Sequence, residues 1–417
     1  MITVVGTGTG APLPPDAEAA LAGAGLVVGA LRHLVAAALP DTAERIVLGP
    51  LAPALDAIEH YLEKPADQGR VVVLASGDPG FFGIVRALAE RFGAGRLEVH
   101  PGVSSVATAF ARLGLTWDDA VVVSAHGRDP RTAVNVCRAH PKVAVLTGPG
   151  SGPAELGAAL RSSERVLVVA SALGSGSEEL VERVTPAEAA VRDWGPAVSV
   201  VLCLDESRVL SPVRTVAGPP PGPAQWALDE GEFTHRDSMI TKFEVRALAL
   251  ARLGPRLGEH VWDIGAGSGS VAVECARFGA AVTAVEKTLD GVERIRANAA
   301  AHGVDVTVVH GAAPTVLSDL PDPDAVFIGG GGRELPAIVT VCARRARRSV
   351  VVAMAALDRV PAVRDALVAA GLECDGVQLQ SSRLAPLPGD VTRLAATNPV
   401  FLLWGVRPPA RSEGVAQ

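Results

Sequence analysis

A glycine-rich loop behind an acidic residue is the first feature of the sequence that could bind a reactive cofactor. Asp263 ends a hydrophobic run, and the loop that follows it contains Gly265, Ala266, Gly267, Ser268 and Gly269. Glycine lets the backbone turn sharply and approach a ligand without a Cβ atom in the way. A pyrophosphate-binding loop needs its third glycine one position later, where this chain has Ser270. The spacing therefore favours a cofactor without pyrophosphate but with an amino-acid end, whose ammonium group Asp263 could engage.

A second carboxylate strengthens this prediction. Glu286 lies seventeen residues after Gly269, at the end of the hydrophobic run 281–285. A carboxylate at the carboxyl end of a strand can accept hydrogen bonds from both hydroxyl groups of a ribose. The alternative is a tight turn that only packs a helix on a strand, and the placement of Glu286 weakens that alternative.

Four clusters in the first half of the chain also follow hydrophobic runs and could form a second site. They contain the glycine loop that begins at Gly6, the turn residues Gly77 and Asp78, the serines Ser104 and Ser105, and His126 with its neighbour Arg128. Ligands of open α/β sheets bind at the carboxyl ends of strands, where these clusters are predicted to lie. The ordinary alternatives are a turn at Asp78, helix caps at the serines and a hydrogen-bonded core histidine at His126.

The glycine loop at Gly6 superficially fits a dinucleotide-binding fingerprint. Prolines at positions 12, 14 and 15 prevent a helix from starting directly after the loop, as that fingerprint requires. The loop is therefore predicted to form the floor of a binding site rather than a phosphate cradle.

Such loops must be positioned by strands and helices, and β-rich runs alternate with Ala- and Leu-rich stretches in both halves of the chain. The predicted strands are 2–5, 71–75, 121–124, 143–146, 166–170, 199–204, 261–264, 281–285, 306–309, 325–328 and 350–353. This alternation predicts α/β layers with mainly parallel sheets.

Two domains are expected, since 417 residues exceed the ~250–300 residues at which one core usually stops growing. Positions 217–223 are dominated by glycine and proline, and three consecutive prolines there can continue neither a helix nor a central strand. We predict an N-terminal domain over 1–208, a proline-rich linker over 209–231, a C-terminal domain over 232–408 and a disordered tail over 409–417.

Composition argues against several classes of partner. Acidic residues exceed basic ones (45 against 38) and aromatic residues are only 4%, which disfavours a nucleic-acid-binding surface. The five scattered cysteines suit buried thiols in a reducing compartment, and no cluster has the spacing of metal ligands. No apolar run approaches the ~18 residues of a membrane span, and the start lacks the basic residues of a signal peptide. We therefore expect a soluble, cytoplasmic protein that binds neither nucleic acid, membrane nor metal.

The C-terminal motifs resemble those of class I S-adenosylmethionine-dependent methyltransferases, which have a Rossmann-like fold. A narrower resemblance, to the decarboxylating precorrin methyltransferases of corrin biosynthesis, rests on the segment 241–246 (TKFEVR), the loop 310–314 (HGAAP) and the glycines at 329–332. It implies S-adenosyl-L-methionine as the cofactor, in contact with Thr241, the loop 265–269, Glu286, Ala312 and Ala313. Many members of the family have an acidic residue near the adenine at the position of Ala312. In this chain, backbone groups would contact the adenine instead. The resemblance also implies Lys242 and Glu244 as catalytic residues; a solvated helix face with a modest ion pair is the alternative.

The N-terminal clusters resemble those of the tetrapyrrole methylases, the class III methyltransferases. The resemblance rests on 77–79 (GDP), 101–105 (PGVSS) and 124–128 (SAHGR) and covers about residues 1–207. It implies an α/β domain that binds S-adenosyl-L-methionine in a bent form through Gly6, Gly77, Asp78, Ser104 and Ser105. His126 and Arg128 would then line or support the substrate trough, with His126 as a catalytic residue.

Two methyltransferase-like halves imply one bifunctional, homo-oligomeric enzyme of cobalamin biosynthesis. The C-terminal domain would methylate C15 of a precorrin (precorrin-6Y/6B) and decarboxylate its C12 acetate, and the N-terminal domain would methylate C5, giving precorrin-8. A cobalt-containing precorrin, another tetrapyrrole or an isoprenoid-like anion stays open as the substrate. From other classes, the alternatives are a nicotinamide oxidoreductase and a non-catalytic protein that only binds S-adenosyl-L-methionine.

Overall fold

The computed structural model of the chain describes residues 1–10, 12–64, 70–195, 199–210, 215–219, 222–236 and 240–409. The predicted tail from 410 and part of the predicted linker (211–214 and 220–221) lie outside the described residues. The chain forms two compact units, Met1–Pro130 with Lys142–Gly218, and Arg131–Pro141 with Pro219–Gln417. The main change of unit, at Gly218/Pro219, falls inside the stretch predicted as a linker; the predicted domain bounds themselves stay a prediction.

The first sheet of the N-terminal unit is entirely parallel, in the order β3-β2-β4-β1-β5. Its strands are β1 Ile2–Gly6, β2 Ala24–Gly29, β3 Glu44–Val47, β4 Arg70–Ala75 and β5 Leu97–His100. The helices are α1 Pro15–Ala22, α2 Leu31–Ala36, α3 Leu51–Leu62, α4 Val85–Phe92 and α5 Ser105–Leu113. Valine-rich β1 and β4 are buried along nearly their whole length, as expected of central strands covered on both faces. All five strands therefore end at one edge, which carries the loops of the first candidate site.

The second sheet of this unit is mixed, in the order β6-β7-β10-β8-β9. Its strands are β6 Val121–Ser124, β7 Lys142–Leu146, β8 Val166–Ser171, β9 Leu180–Val184 and β10 Ser199–Leu204, and its helices are α7 Pro153–Ala159 and α8 Pro186–Val191. The helix between β6 and β7, α6 Arg131–Ala139, belongs to the C-terminal unit. Within the described residues of this sheet, β6 and β7 are the only pair of parallel neighbours. The expectation of a mainly parallel sheet is wrong here, because residues 172–179 are too few for the crossover that a parallel β8–β9 pair needs.

The C-terminal unit contains a seven-stranded sheet in the order β13-β12-β11-β14-β15-β19-β16. Its elements are β11 His260–Ile264, β12 Ala281–Glu286, β13 Thr307–His310, β14 Ala325–Ile328, β15 Ser349–Met354, β16 Glu373–Leu379, β17 Ser382–Leu387, β18 Val391–Ala396 and β19 Val400–Val406, with α9 Phe243–Leu253, α10 Ser270–Arg277, α11 Leu289–Ala301, α12 Leu335–Arg345 and α13 Val360–Ala369. Strands β11 to β15 are parallel, and β19 runs antiparallel to β15 and β16. The strand order reverses between β11 and β14, and ligands of open α/β sheets bind at such a reversal.

Two hydrophobic clusters fill the two faces of this sheet. Trp262 and Ile264 of β11 belong to one cluster, whereas Val261 of the same strand belongs to the other. This alternation follows from the period-two geometry of a strand whose two faces are both covered by helices. The central strands are rigidly held as a result, and they carry the second candidate site at their carboxyl ends.

All eleven strands predicted from the sequence are present, with ends that differ by at most one residue. Among the described residues, the structure has eight further strands that the sequence did not predict; they include β2, whose apolar run is only Leu26–Val28, and the polar, exposed β16 to β18. Long valine-rich runs mark buried strands, whereas exposed strands lack that signal. Among the described residues, every helix is too short or too polar to span a bilayer.

Candidate functional site

The predicted glycine loop of the C-terminal unit connects β11 to α10 at the reversal of strand order. Gly265, Gly267 and Gly269 have φ angles of +72°, +57° and +73°. Residues with a Cβ atom rarely adopt this left-handed conformation, so the loop requires glycine at all three positions. The N–H groups of Gly265 and Ala266 donate to the Val285 carbonyl at 2.9 and 3.2 Å, which holds the start of the loop against β12.

Glu286 lies beside this loop, at the end of β12, and is buried. Its Oε2 accepts the Gly267 N–H at 3.0 Å, and its Oε1 accepts the N–H and the hydroxyl of Thr288, each at 2.9 Å. A Cβ atom on Gly291 would lie 2.5 Å from Cγ of Glu286, so α11 packs directly against this side chain. The carboxylate is therefore held in one position at the glycine loop, as a pre-organised acceptor must be.

Asp263 is 1% exposed and lies beneath the loop. Its Oδ2 accepts the Ala272 N–H at 2.9 Å, and its buried Oδ1 has no hydrogen-bond partner among the described residues. Burial, and then the neighbouring Glu286, raise the pKa of Asp263 to about 7. The predicted contact of this carboxylate with a ligand ammonium stays a prediction, and the unpartnered Oδ1 is the atom that could make it.

The loops after β13 and β14 complete this edge of the sheet. The Gly311 N–H donates to the Glu286 carbonyl at 2.9 Å, and the Gly329 N–H donates to the Ile264 carbonyl at 3.0 Å. Ala312 is exposed, whereas Ala313 is half-buried and packs against the core. The structure thus brings Ala312 and Ala313 to the edge that also carries the glycine loop and Glu286.

The segment before α9 contains the residues predicted as catalytic in this unit. Lys242 directly precedes the helix, and Glu244 lies in its first turn. Arg383 of β17 donates to Glu244 at 2.7 and 3.1 Å and to Glu230 at 2.8 and 3.1 Å. The hydrogen bond from Arg383 lowers the pKa of Glu244. Burial would raise the pKa of Glu230, but hydrogen bonds from Arg383 and from the Phe243 N–H lower it to about 2. Glu244 is thus an ionised partner in a three-residue network, and its catalytic role stays a prediction.

Two buried polar residues tie this segment to the rest of the unit. Arg246 donates to the Thr241 carbonyl at 2.6 Å and lies 4.9 Å from the ring centre of Phe233. The side-chain amide of Asn298 accepts the Thr234 N–H at 2.8 Å and donates to the carbonyls of Thr234 and Ser268 at 2.9 and 2.8 Å. Thr241 and the glycine loop are therefore linked through Arg246, its contact with the Phe233 ring, and the hydrogen bonds of Asn298 to the next residue, Thr234, and to Ser268.

In the N-terminal unit, three loops meet at the carboxyl edge of the first sheet. A Cβ atom on Gly6 would lie 2.5 Å from the Gly102 nitrogen and 2.7 Å from the Gly77 oxygen. Gly8 and Gly77 exchange backbone hydrogen bonds of 3.1 and 3.3 Å, and Gly77 has φ +59°. Glycine is required here because the loops after β1, β4 and β5 touch through their backbones.

The predicted polar residues of this unit lie on the same loops. Asp78 is half-buried, and its Oδ1 accepts the Gly80 N–H at 2.8 Å. Ser104 is the N-cap of α5 and accepts the Ala107 N–H at 3.1 Å, as expected of a capping serine, with Ser105 beginning the helix. His126 follows β6 of the second sheet; it is exposed, and its Nδ1 lies 3.3 Å from the Thr147 carbonyl. Ser104 lies next to Gly77, since a Cβ atom on Gly77 would lie 3.6 Å from Cα of Ser104. His126, in contrast, lies at the end of a strand of a different sheet.

Comparison with known proteins matches each half of the chain to a family. Residues 1–190 match the family described as tetrapyrrole (corrin/porphyrin) methylases, and residues 232–407 match the precorrin methyltransferase domain. A Sinorhizobium protein named precorrin-6Y C(5,15)-methyltransferase [decarboxylating] is 40% identical over 80% of this chain and 79% of its own length. The chain belongs to the precorrin-6Y C(5,15)-methyltransferase (decarboxylating) family.

Two shorter relatives each match only one part of this chain. A Pyrobaculum calidifontis protein named probable cobalt-precorrin-6B C(15)-methyltransferase (decarboxylating) is 38% identical over 39% of this chain and 87% of its own length. A Salmonella typhimurium protein named cobalt-precorrin-7 C(5)-methyltransferase is 32% identical over 49% of this chain and 100% of its own length. This chain is therefore about as long as the two shorter proteins combined.

Sequence reasoning did not identify Asn298, Glu230 or Arg383 in this member of the precorrin-6Y C(5,15)-methyltransferase family. Arg383 is 139 residues from Glu244 and lies on an exposed strand, so no local pattern marks the pair. Asn298 stands among alanines on α11, and only its burial distinguishes it from a surface residue. Within the described part of the chain, no group of three His, Cys, Asp or Glu side chains is arranged to hold a metal ion.

The raised pKa of Asp263 predicts how stability of this precorrin methyltransferase varies with pH. The folded carboxyl ionises near pH 7, whereas an unfolded aspartate ionises near pH ~3.9. The folded state therefore binds more protons between these values, and the free energy of unfolding falls as pH rises from about 4 to about 7. The Asp263→Asn variant keeps an acceptor for the Ala272 N–H but has no carboxyl group to ionise. It should therefore not show this decrease in the free energy of unfolding, which amounts to at most about 4 kcal/mol.

Urea unfolding at pH 5 and pH 8 measures the effect. We expect Asp263→Asn to gain stability over the wild type at pH 8 relative to pH 5, with no such gain in the exposed control Asp365→Asn. Parallel pH dependence of Asp263→Asn and the wild type would contradict the assignment of a raised pKa to Asp263.

Proposed function

We propose that this chain methylates precorrin-6Y at C5 and C15 with S-adenosyl-L-methionine and removes the carboxylate of the C12 acetate as CO2. One observation carries the proposal: a member of the precorrin-6Y C(5,15)-methyltransferase family has two glycine-lined sites, one in each unit, at the carboxyl ends of parallel strands. A cobalt-containing precorrin is the alternative substrate, and it would use the same two sites.

The residues of the C-terminal site suit an S-adenosyl-L-methionine molecule. The buried Oδ1 of Asp263 has no partner among the described residues and could accept an ammonium group. Glu286 is fixed beside the loop and could accept ribose hydroxyls if Thr288 or Gly267 yields its hydrogen bond. When bound, this cofactor supplies an activated methyl group on a positively charged sulfur.

The N-terminal site suits the same cofactor in a different way. Backbone contacts among Gly6, Gly77 and Gly102 form a smooth floor, and Asp78, Ser104 and Ser105 present small polar groups around it. No carboxylate equivalent to Glu286 is needed if the cofactor is held by backbone and small polar groups. Both sites therefore favour one cofactor held by two unrelated folds.

The two shorter relatives support a division of labour. One is named for C15 methylation with decarboxylation and the other for C5 methylation, and each covers less than half of this chain. We assign C5 methylation to a domain over 1–208 and C15 methylation with decarboxylation to a domain over 232–408. Residues 209–231 would connect them.

The chemistry asks mainly for positioning. Each transfer forms a C–CH3 bond and breaks the S–CH3 bond, and holding the reacting carbon in line with the methyl group can lower the barrier by up to ~7–11 kcal/mol. Decarboxylation breaks the bond between the acetate methylene and its carboxylate, which leaves as CO2, and the conjugated macrocycle accepts the electron pair. A proton then adds to the methylene carbon and leaves a methyl group at C12. We propose Lys242 and Glu244 as catalytic residues of the C-terminal site, and His126 as that of the N-terminal one.

The test is mass spectrometry of precorrin-6Y incubated with the purified chain and S-adenosyl-L-methionine carrying a labelled methyl group. We expect two labelled methyl groups to be added and one CO2 to be lost. Binding of the cofactor without turnover would instead favour a non-catalytic binding protein, and transfer only to the cobalt-containing precorrin would favour the alternative substrate. Tight binding of a nicotinamide dinucleotide would favour an oxidoreductase.

We also propose that the enzyme is a cytoplasmic homo-oligomer. All five cysteines are thiols and four of them are buried, which suits a reducing compartment. Strands β17 and β18 pair only with each other among the described residues, and the paired Leu384 and Leu394 are 79% and 67% exposed. A two-stranded hairpin is marginally stable alone and its edges invite further strands, so a second copy of the chain is the occupant we expect.

Light scattering coupled to gel filtration tests this assembly. We expect the wild type to have a multiple of the 42.7 kDa chain mass, and Leu384→Ser with Leu394→Ser to shift it toward 42.7 kDa. The control is Val368→Ser, which changes an exposed valine on α13 instead. A wild-type mass of 42.7 kDa would contradict the proposed oligomer.

A further inference from the structure

A cluster of four polar side chains lies at the edge of the first sheet, beside the N-terminal glycine site. Thr7 follows β1, Arg32 and His33 follow β2, and Ser76 follows β4. His33 Nε2 lies 2.8 Å from Ser76 Oγ, and His33 Nδ1 lies 3.4 Å from Thr7 Oγ1. Arg32 Nη2 donates to Ser76 Oγ at 2.7 Å. The cluster adjoins Gly6 and Gly77 in sequence, and the predicted site residues do not include it.

The direction of each hydrogen bond in this cluster can be assigned. The Thr7 hydroxyl donates its only proton to the Ala75 carbonyl at 3.1 Å, so its oxygen accepts the proton on His33 Nδ1. His33 Nε2 is then an acceptor, since burial and the neighbouring Arg32 lower the pKa of His33 and keep the ring neutral. Ser76 therefore donates to His33 Nε2 and accepts from Arg32.

This arrangement holds the Arg32 guanidinium at Nη2 and leaves its other N–H donors available. A guanidinium has five N–H donors, and the side chain of Arg32 is exposed. Ser76 is a neutral partner, and Arg32 forms no ion pair with a carboxylate in the part of the chain that the structure describes. A positioned, uncompensated guanidinium is a site for a carboxylate, which it can bind through two parallel hydrogen bonds.

Large apolar side chains are exposed on the same edge. Leu31, Phe82 and Val103, which follow β2, β4 and β5, are 61%, 50% and 58% exposed. Phe82 also has φ +54°, a conformation that residues other than glycine rarely adopt unless their surroundings impose it. Apolar surface beside a single positioned cation suits a broad ring system with carboxylates on its rim.

We propose that Arg32 binds a side-chain carboxylate of the tetrapyrrole in the N-terminal site, and that Ser76, His33 and Thr7 position its guanidinium. The proposal rests on the proposed function, because that function supplies the polycarboxylate ligand. Arg32 is a substrate-binding residue in this scheme, whereas Ser76 and His33 act through it. Loss of the carboxylate contact weakens binding in the ground state and the transition state equally, so the effect falls on KM.

The experiment measures steady-state C5 methylation of precorrin-6Y by the full chain, with a 13C-labelled methyl donor and NMR detection of each methyl group. We expect Arg32→Ala to raise KM roughly tenfold to a hundredfold at nearly unchanged kcat, as removal of a charge-assisted hydrogen bond predicts. Arg32→Lys should recover part of the loss, and Ser76→Ala should give a smaller rise that Ser76→Thr reverses. The matched control is Arg96→Ala, an exposed arginine just before β5 and so at the opposite edge of the same sheet.

The outcomes separate the two proposals. A wild type that transfers methyl groups while Arg32→Ala keeps the wild-type KM overturns the carboxylate site alone. A fall in kcat at unchanged KM also overturns it, since that result would assign the cluster to the chemical step. A wild type that methylates no precorrin overturns the proposed function and, with it, this inference.

Discussion

A Glu286→Ala variant is expected to lose C15 methylation and to retain C5 methylation. The substitution removes the acceptor of the Gly267 N–H and of both Thr288 donors, and it removes the proposed acceptor of ribose hydroxyls. Hydrogen bonds to a charged group contribute roughly 1.5–3 kcal/mol each, so kcat/KM for the C15 methyl group should fall by at least about a hundredfold. Quantifying the two labelled methyl positions separately, by NMR of the product, checks the prediction.

A conservative variant and an exposed control show whether the loss of C15 methylation is specific to the Glu286 carboxylate. Glu286→Gln keeps one acceptor oxygen and should retain part of the C15 activity, whereas the exposed Glu293→Ala on α11 should behave like the wild type. Loss of both methylations in Glu286→Ala would contradict the division of labour between the two units. Retained C15 methylation would instead remove Glu286 from the cofactor site.

A Gly6→Ala variant should have the opposite effect, losing C5 methylation while C15 methylation continues. The new Cβ atom would lie 2.5 Å from the Gly102 nitrogen and 2.7 Å from both the Gly77 oxygen and Pro79 Cδ. These are backbone or ring atoms and cannot rotate away, so the loops must separate. Misplacing binding loops by about 1 Å can cost roughly a hundredfold in rate. The same NMR assay measures the loss as a fall in the ratio of C5 to C15 methyl groups, relative to the ratio in the wild-type product.

Gly95→Ala is the matched control for this substitution. A Cβ atom on Gly95 would have no atom within 4 Å, and Gly95 does not have a positive φ. It should therefore keep both activities. Limited proteolysis would show whether the N-terminal unit of Gly6→Ala stays folded, and a folded variant with wild-type C5 methylation would be incompatible with the tight contact of the three loops.

The sequence predicts those structural features that are determined by residues close together in the chain. Buried parallel strands require continuous apolar runs, so β11 and β12 and the loops that follow them could be located from residue order alone. The positive φ angles at positions 265, 267 and 269 require glycine, and three glycines at this spacing are recognisable as a sequence motif. The capping role of Ser104 is local in the same sense, since its partner is three residues away.

The unpredicted parts depend on contacts between distant positions. Thr7, His33 and Ser76 come together only because β1, β2 and β4 are neighbours in the sheet, and the apolar run of β2 is limited to Leu26–Val28 between glycines. Arg383 reaches Glu230 and Glu244 from a strand that carries no burial signal. Sheet order decides the first set of contacts, and the order of strands cannot be deduced from their individual patterns. The second set depends on where the separate β17–β18 hairpin packs.

The contacts of Leu228 determine where the C-terminal unit can be cut. The buried Glu274 accepts the Leu228 N–H at 2.6 Å, and the buried Arg246 donates to the Leu228 carbonyl. The family match begins only at residue 232. A fragment that starts there would leave two buried charged groups each short of a partner, which is among the costlier defects in a protein interior. A fragment that keeps the partners of both charged groups therefore begins upstream of Leu228, within the stretch that the two family matches leave uncovered.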